Sequence, residues 1–261
     1  MIMRAKSVLF CIRECRMRVA LVPLKTLPKS PDVNFRRLQA RLSEIADYRP
    51  DLIVLPECTL TGYIYEQEDL DRFAEAIPGP TVVRMAQLAR DYRTYLCFGL
   101  VERAEDGMYD SAVLLNRRGD ILLVQRKLSE KPPYRAGTRV ESVETEMGNM
   151  AVLICGDLFH AEAVAQLPDD LDWLLAPMAR AFAGRSPDRP RWEKEERAVY
   201  LRAVKAIGKT TFLVNALDEG IEEPSFGGAM VAARSGELLA ESPHGSDGVL
   251  LFNDAISFPP V

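Results

Sequence analysis

Residues 151–159 read AVLICGDLF. An apolar run of strand length meets a cysteine, then glycine and aspartate, and turns apolar again. Short apolar runs stopped by turn residues are what fully buried strands of an α/β sheet look like. The stretch therefore places a thiol, Cys155, at the mouth of a core strand. Such a cysteine is a small buried hydrophobe, a metal ligand or a nucleophile. Gly156 favours the third use, because glycine permits a tight turn that exposes the thiol. Its N–H would also lie beside a tetrahedral centre formed on sulfur.

Working outward, the same pattern recurs. MRVALVPL (17–24) reads as a first core strand, and DLIVLP (51–56) as a buried strand stopped by Pro56. Between them Phe35, Leu38, Leu42 and Ile45 fall at helical spacing. TVVRMAQLARDYR (81–93) predicts a helix and TYLCFGLVE (94–102) a strand. DSAVLLN and ILLVQRK flank RRGD (117–120), a hairpin signal with Gly119 at the turn. After Cys155 come a short helix near 161–167, the strand DWLLAP (172–177), and a charged helix from about Pro190 to Ile207. The strand TTFLVNAL (210–217), a second hairpin across RSG (234–236) and a last strand GVLLF follow. Strands alternating with helices, twice interrupted by hairpins, predict one α/β domain with mixed sheets. The loop 183–190, AGRSPDRP, is the most loop-like stretch and a candidate lid.

The bulk properties exclude several classes. The chain has 261 residues, with 33 basic against 38 acidic side chains and a net charge of −5. That balance gives no reason to expect nucleic acid or an anionic membrane as partner. No apolar run approaches the roughly 20 residues a membrane span needs. The five cysteines are odd in number and scattered, which fits a reducing compartment and predicts a cytoplasmic protein. Cys11 and Cys15 lack a second ligand pair for structural zinc. The basic start is broken by Arg13 and Glu14. Residues 1–16 therefore read as an appendage, not a signal peptide, ahead of a single domain over 17–261.

Two further polar residues follow buried strands: Glu57 in LPECTLTGY and Lys127 in VQRKLSE. Ligands of open α/β sheets bind at the carboxyl ends of strands, so Glu57, Lys127 and Cys155 become candidates for one site. Taken singly, each has an ordinary reading as a loop or hairpin-end residue. A poorly hydrated Glu57 would suit proton transfer. A Cys155–His160 pair is an alternative, although a lone histidine is more often structural. G-x-S-x-G, G-x-G-x-x-G and P-loop stretches do not occur, which weakens the serine-hydrolase reading and removes the dinucleotide and P-loop readings.

The ordered set LPECTLTGY, RKLSEK and VLICGDLFHAE resembles the nitrilase superfamily of carbon–nitrogen hydrolases, which uses a Glu–Lys–Cys triad in this chain order. The likeness extends to Glu130 before KPPYRAG, to DWLLAP, to LRAVKAIGKTTFLVNAL and to the closing hairpin. It spans about residues 17–255. Gly156 departs from the bulky aromatic often found after the nucleophile, and Leu128-Ser129 replaces a usual His-Leu pair. These changes touch pocket walls, not reactive groups.

The resemblance implies a four-layer α-β-β-α sandwich of two mixed sheets and a homodimer or higher homo-oligomer. It implies catalytic Glu57, Lys127 and Cys155, with Glu130 assisting or orienting Lys127. It further implies an oxyanion contact from Gly156, and no metal or organic cofactor. The expected substrate is a small-molecule amide, with Arg180, after the strand 172–177, a candidate clamp for a substrate carboxylate. Two other readings stay open: a glutaminase-like subunit feeding ammonia to a synthetase, and a catalytically silent binding scaffold.

Overall fold

The computed structural model describes residues 15–181, 189–220, 224–242 and 245–256. The expected appendage up to residue 14, most of the 183–190 loop with Arg185, and His244 lie outside the described residues. Strand β1 (Cys15–Leu21) starts ahead of the Met17 expected from sequence and leads through β2 (Lys25–Thr26) to α1 (Pro31–Glu44). Then come β3 (Leu52–Val54), α2 (Gln67–Phe73), α3 (Pro80–Tyr92), β4 (Tyr95–Ala104), β5 (Gly107–Leu115) and β6 (Ile121–Arg126). The second half carries β7 (Ser142–Thr145), β8 (Gly148–Val152), α4 (Ala161–Val164) and β9 (Trp173–Met178). It closes with α5 (Arg189–Arg191), α6 (Arg197–Ile207), β10 (Thr210–Asn215), β11 (Leu217–Asp218), β12 (Ala229–Ala232), β13 (Leu238–Glu241) and β14 (Leu250–Ile256).

Two six-stranded sheets form, ordered β14-β1-β3-β4-β5-β6 and β13-β12-β10-β9-β8-β7, with β2 and β11 pairing separately. Both are mixed, as predicted. β1, β3 and β4 run parallel, as do β8, β9 and β10, while the flanking strands pair antiparallel. Both expected hairpins are present, β5–β6 and β12–β13, and Gly119 takes the positive φ its turn needs.

Side-chain alternation explains the layers. Along β1, Val19 and Leu21 join Val54, Val152, Leu175 and Phe212 in the core between the sheets. Ala20 faces the other way, packing with Ile53 and Phe98 against Leu38 and Leu42 of α1 and Met85 and Ala89 of α3. On the second sheet Ala151, Leu174 and Leu213 turn outward onto Trp192, Tyr200 and Val204. A strand buried on both faces shows no polar alternation, which is why these runs read as continuously apolar. The result is the four-layer α-β-β-α sandwich.

The sequence differs from the structure in two places near the site. The strand leading to Cys155 ends at Val152, and Cys155–Phe159 is a 3-10 turn. The helix expected over 190–207 is interrupted by a π-helical stretch, Trp192–Glu196.

Candidate active site

Each candidate residue is delivered by the end of a strand. Beyond β3, Leu55 donates its N–H to the Cys97 carbonyl (2.8 Å), and Pro56, with no N–H to give, ends the ladder. The chain folds over β4 at Gly99, which donates to the Pro56 carbonyl (3.1 Å) and accepts from the Thr59 N–H (2.9 Å). A Cβ at Gly99 would lie 2.5 Å from the Cys58 nitrogen and 2.7 Å from the Glu57 Cα. Only glycine lets the two backbones approach so closely. The turn leaves Glu57 with 1% exposure.

Lys127 follows β6 and is itself buried. Its Nζ lies 2.7 Å from Glu57 Oε1, 2.5 Å from Glu130 Oε1 and 3.2 Å from Asp110 Oδ2, over the ring of Tyr63. The Tyr63 hydroxyl donates to Glu130 Oε1 at 2.6 Å. Oxygens of Glu57, Asp110 and Glu130 lie within 4.8 Å of one another, a geometry reminiscent of a cation site. The Lys127 ammonium fills it.

Cys155 comes from the second sheet. It takes φ +46, a left-handed conformation unusual for a side-chain-bearing residue. Gly156, expected to supply the special backbone conformation, is not among the positive-φ residues, so the strain sits on the cysteine itself. Gly156 provides space instead: a Cβ there would meet Ser129 Oγ at 2.8 Å. Buried Asp157 holds the turn. Its Oδ1 accepts the N–H groups of Leu128 (3.0 Å) and Ser129 (2.8 Å), and its Oδ2 accepts that of Ile154 (3.4 Å).

The two sheets meet at this point. Ala179, just past β9, donates its N–H to Glu57 Oε2 at 2.7 Å. The Cys155 thiol faces the same cleft as Glu57. Around them opens a cleft of about 350 Å³ lined by Glu57, Lys127, Glu130, Cys155 and Arg180, with Tyr63, Tyr65, Ser129 and Lys131 also at its walls. Arg180 is fixed through its backbone, with its N–H on Asn215 Oδ1 (2.7 Å). His160 opens α4 and does not line the cleft, so no Cys–His pair forms.

The electrostatics follow from burial and charge. Burial pushes the Cys155 thiol up, and the Glu57 charge pushes it further, against the pull of Lys127. Burial alone would raise Glu57, but the Lys127 charge and the hydrogen bonds to Glu57 outweigh it and hold the carboxyl below its ordinary value. Burial would lower Lys127, yet the neighbouring negative charge, that of Glu57 foremost, wins and raises it. The resting site therefore holds a thiol, a carboxylate and an ammonium.

Five of the six residues expected from sequence line the cleft, Glu57, Lys127, Glu130, Cys155 and Arg180, while Gly156 sits beside Cys155 against Ser129 without lining it. Sequence reading missed Asp110, Tyr63 and Asp157. For Asp110 a signal existed, since an aspartate inside the apolar hairpin strand YDSAVLL invites a buried partner.

Comparison with known proteins places this arrangement in a family. The carbon–nitrogen hydrolase family model matches residues 18–253. A probable nitrilase of Schizosaccharomyces pombe is 27% identical over 232 residues, 78% of this chain and 85% of that protein. An omega-amidase of Xenopus tropicalis is 24% identical over 256 residues, 92% of this chain and 88% of its own length. The fold is shared with a carbon–nitrogen hydrolase from Helicobacter pylori, at a TM-score of 0.79 and 19% identity, covering 92% of this chain and 89% of that one. The matched segment runs through both sheets and the whole cleft, and the chain belongs to the carbon–nitrogen hydrolases of the nitrilase superfamily.

Proposed function

We propose that the protein hydrolyses the C–N bond of a small-molecule amide through a Glu57–Lys127–Cys155 triad and a thioester intermediate. The observation that carries this reading is the position of Glu57, which accepts a hydrogen bond from the Lys127 ammonium and lines one cleft together with Cys155. The relatives include an omega-amidase as well as nitrilases, so the likeness supports C–N hydrolysis, and the amide is the choice made by this reading.

Because Cys155 is raised and Glu57 lowered, a free thiolate is not the resting nucleophile. Glu57 takes the thiol proton as sulfur attacks the carbonyl carbon, so charge moves to the substrate oxygen without accumulating on sulfur. Lys127 Nζ and the Gly156 N–H stabilise that oxyanion. When the C–N bond breaks, Glu57 returns the proton to the departing nitrogen, leaving a thioester on Cys155. Water then gives a proton to Glu57 and attacks the thioester carbon. The acid leaves, and the sulfur recovers its proton from Glu57. Glu130, at 2.5 Å from Nζ, holds Lys127 in place. Arg180 and Lys131 bring positive charge to the cleft wall, which suits a substrate whose far end is a carboxylate.

The active form we infer is a homodimer, because Phe159 (51% exposed) and Val199 (36%) leave apolar surface on the helical layer beside the site. Catalysis is tested by ammonia release from a panel of small amides, ω-amides, carbamoyl amines and nitriles, with Cys155→Ala beside the wild type. Release by the wild type alone, strongest on ω-amides, is the expected result. Turnover by Cys155→Ala would end the nucleophile assignment.

A further inference from the structure

Asp110 belongs to none of the roles above, yet it is fully buried at the back of the cluster, and its backbone carbonyl receives the Lys127 N–H at 2.9 Å. The groups facing it are Glu57, Cys58, Tyr63, Lys127, Glu130 and Tyr134. Three carboxyl groups thus share one ammonium, with Glu57 and Asp110 buried behind Glu130 at the cleft wall. If all were ionised the cluster would carry a net charge of −2, which a buried site does not sustain without binding a proton.

The hydrogen bonds decide where that proton sits. Glu57 accepts from Lys127 Nζ at Oε1 and from the Ala179 N–H at Oε2, both at 2.7 Å. Glu130 accepts from the Tyr63 hydroxyl at 2.6 Å and contacts Nζ at 2.5 Å. Both are solvated as anions. Asp110 is not. Its Oδ1 faces only the weak Cys58 thiol donor at 3.8 Å, and its Oδ2, though 3.2 Å from Nζ, makes no well-directed hydrogen bond. A buried acceptor without a donor is costly, whereas a protonated oxygen there becomes a donor itself.

We propose that Asp110 is held as a neutral carboxylic acid that presents its O–H to the Glu57 carboxylate. It is a positioning residue: it keeps Glu57 ionised and aimed while Lys127 compensates the charge. The direction of its titration agrees, since burial and the Glu57 charge push Asp110 well above the ordinary carboxylate range. The protonation state stands on this geometry alone, while its consequence for turnover rests on the proposed amide hydrolysis.

The experiment is isotope-edited infrared spectroscopy at pH 7 on wild type and Asp110→Asn, each with ¹³C-labelled aspartate. A protonated-carboxyl C=O band that shifts with the aspartate label and disappears in Asp110→Asn is expected. Wild type without any label-sensitive protonated band, or a band retained in full by Asp110→Asn, overturns the proposal whatever the turnover. On an active substrate, asparagine supplies an N–H in place of the O–H, so Asp110→Asn keeps the acid limb of the kcat/KM–pH profile in place. Asp110→Ala loses about tenfold or more. Had Asp110 been ionised, removing its charge would move that limb down by about one pH unit or more, because Glu57 would lose a repelling neighbour.

Discussion

At the scale of single residues, the backbone of Cys155 is the most telling feature. Its φ of +46 is a conformation that glycine adopts freely and other L-residues resist, at a cost of about 1–2 kcal/mol. The strained turn sets the side chain in the cleft that Glu57 also lines. Replacing Cys155 by glycine therefore gives a protein about 1 kcal/mol more stable than Cys155→Ala, with both inactive. Urea unfolding of the two variants measures the difference, and equal midpoints would show that the turn is unstrained. The raised thiol makes a second prediction. Cys155 stays protonated through neutrality, so its alkylation by iodoacetamide, read against Cys155→Ala, is slow at pH 7 and still climbing beyond pH 9. A rate already at its plateau at pH 7 would mean a resting thiolate and a different first step. For Glu57 the sign is opposite. Its depressed value keeps the base ionised, so the acid limb of kcat/KM falls below the ordinary glutamate value of about 4.3.

At the scale of elements, the site exists because strand ends from two different sheets are pinned together. Glu57, Asp110 and Lys127 come from the first sheet, Cys155 and Arg180 from the second. Two clamps cross the seam: the Ala179 N–H on Glu57, and Asp157 reaching the N–H groups of Leu128 and Ser129. Asp157→Ala leaves the N–H groups of Leu128 and Ile154, both buried, and of part-buried Ser129 without their acceptor. A loss of about 2–4 kcal/mol is expected, with kcat falling more than the rise in KM, because the nucleophile turn loosens from the Lys127 segment. Thermal unfolding and steady-state kinetics test both parts, and an unchanged kcat would show that the clamp does not position the thiol. This clamp also marks the limit of what sequence discloses. Glu57, Lys127 and Cys155 stood out because each interrupts or follows an apolar run, but singly each kept an ordinary reading, and it was the ordered likeness to the nitrilase superfamily that joined them. Asp110 carried only the weak signal of an aspartate within an apolar strand, because its partners Glu57 and Lys127 are brought to it by the sheet order alone. The 3-10 turn at Cys155 was hidden for a related reason. AVLIC has the composition of a strand throughout, and only the Asp157 contacts end it at Val152. The hairpins and the layer alternation carried their own turn residues and periodicity, so they could be read directly.

At the scale of the molecule, the seam has charge at its floor and apolar surface on its flank. Lys127 neutralises the floor, and replacing it with methionine strands Glu57 and Glu130 as buried, uncompensated anions. Such a change costs about 3–5 kcal/mol near pH 7. The loss shrinks toward pH 4 as the carboxyls take up protons, which pH-dependent thermal melts would register. Melts equally depressed at both pH values would instead assign Lys127 a packing role. On the flank, Phe159 belongs to the same 3-10 turn as Cys155 and stacks edge-on against Tyr200 of α6 while half its surface remains exposed. Covering that surface with a second copy would contribute about 2 kcal/mol per phenylalanine and stiffen the turn that presents the thiol. Assembly and turnover should therefore be linked. In sedimentation velocity the wild type is expected to run as a dimer at micromolar concentration and Phe159→Glu as a monomer. The activity per chain of Phe159→Glu should fall to the level the wild type reaches on dilution. A monomeric wild type would remove the dimer altogether. A monomeric yet fully active Phe159→Glu would keep the dimer and sever its link to the site, leaving Asp157 and Ala179 to hold the nucleophile turn unaided.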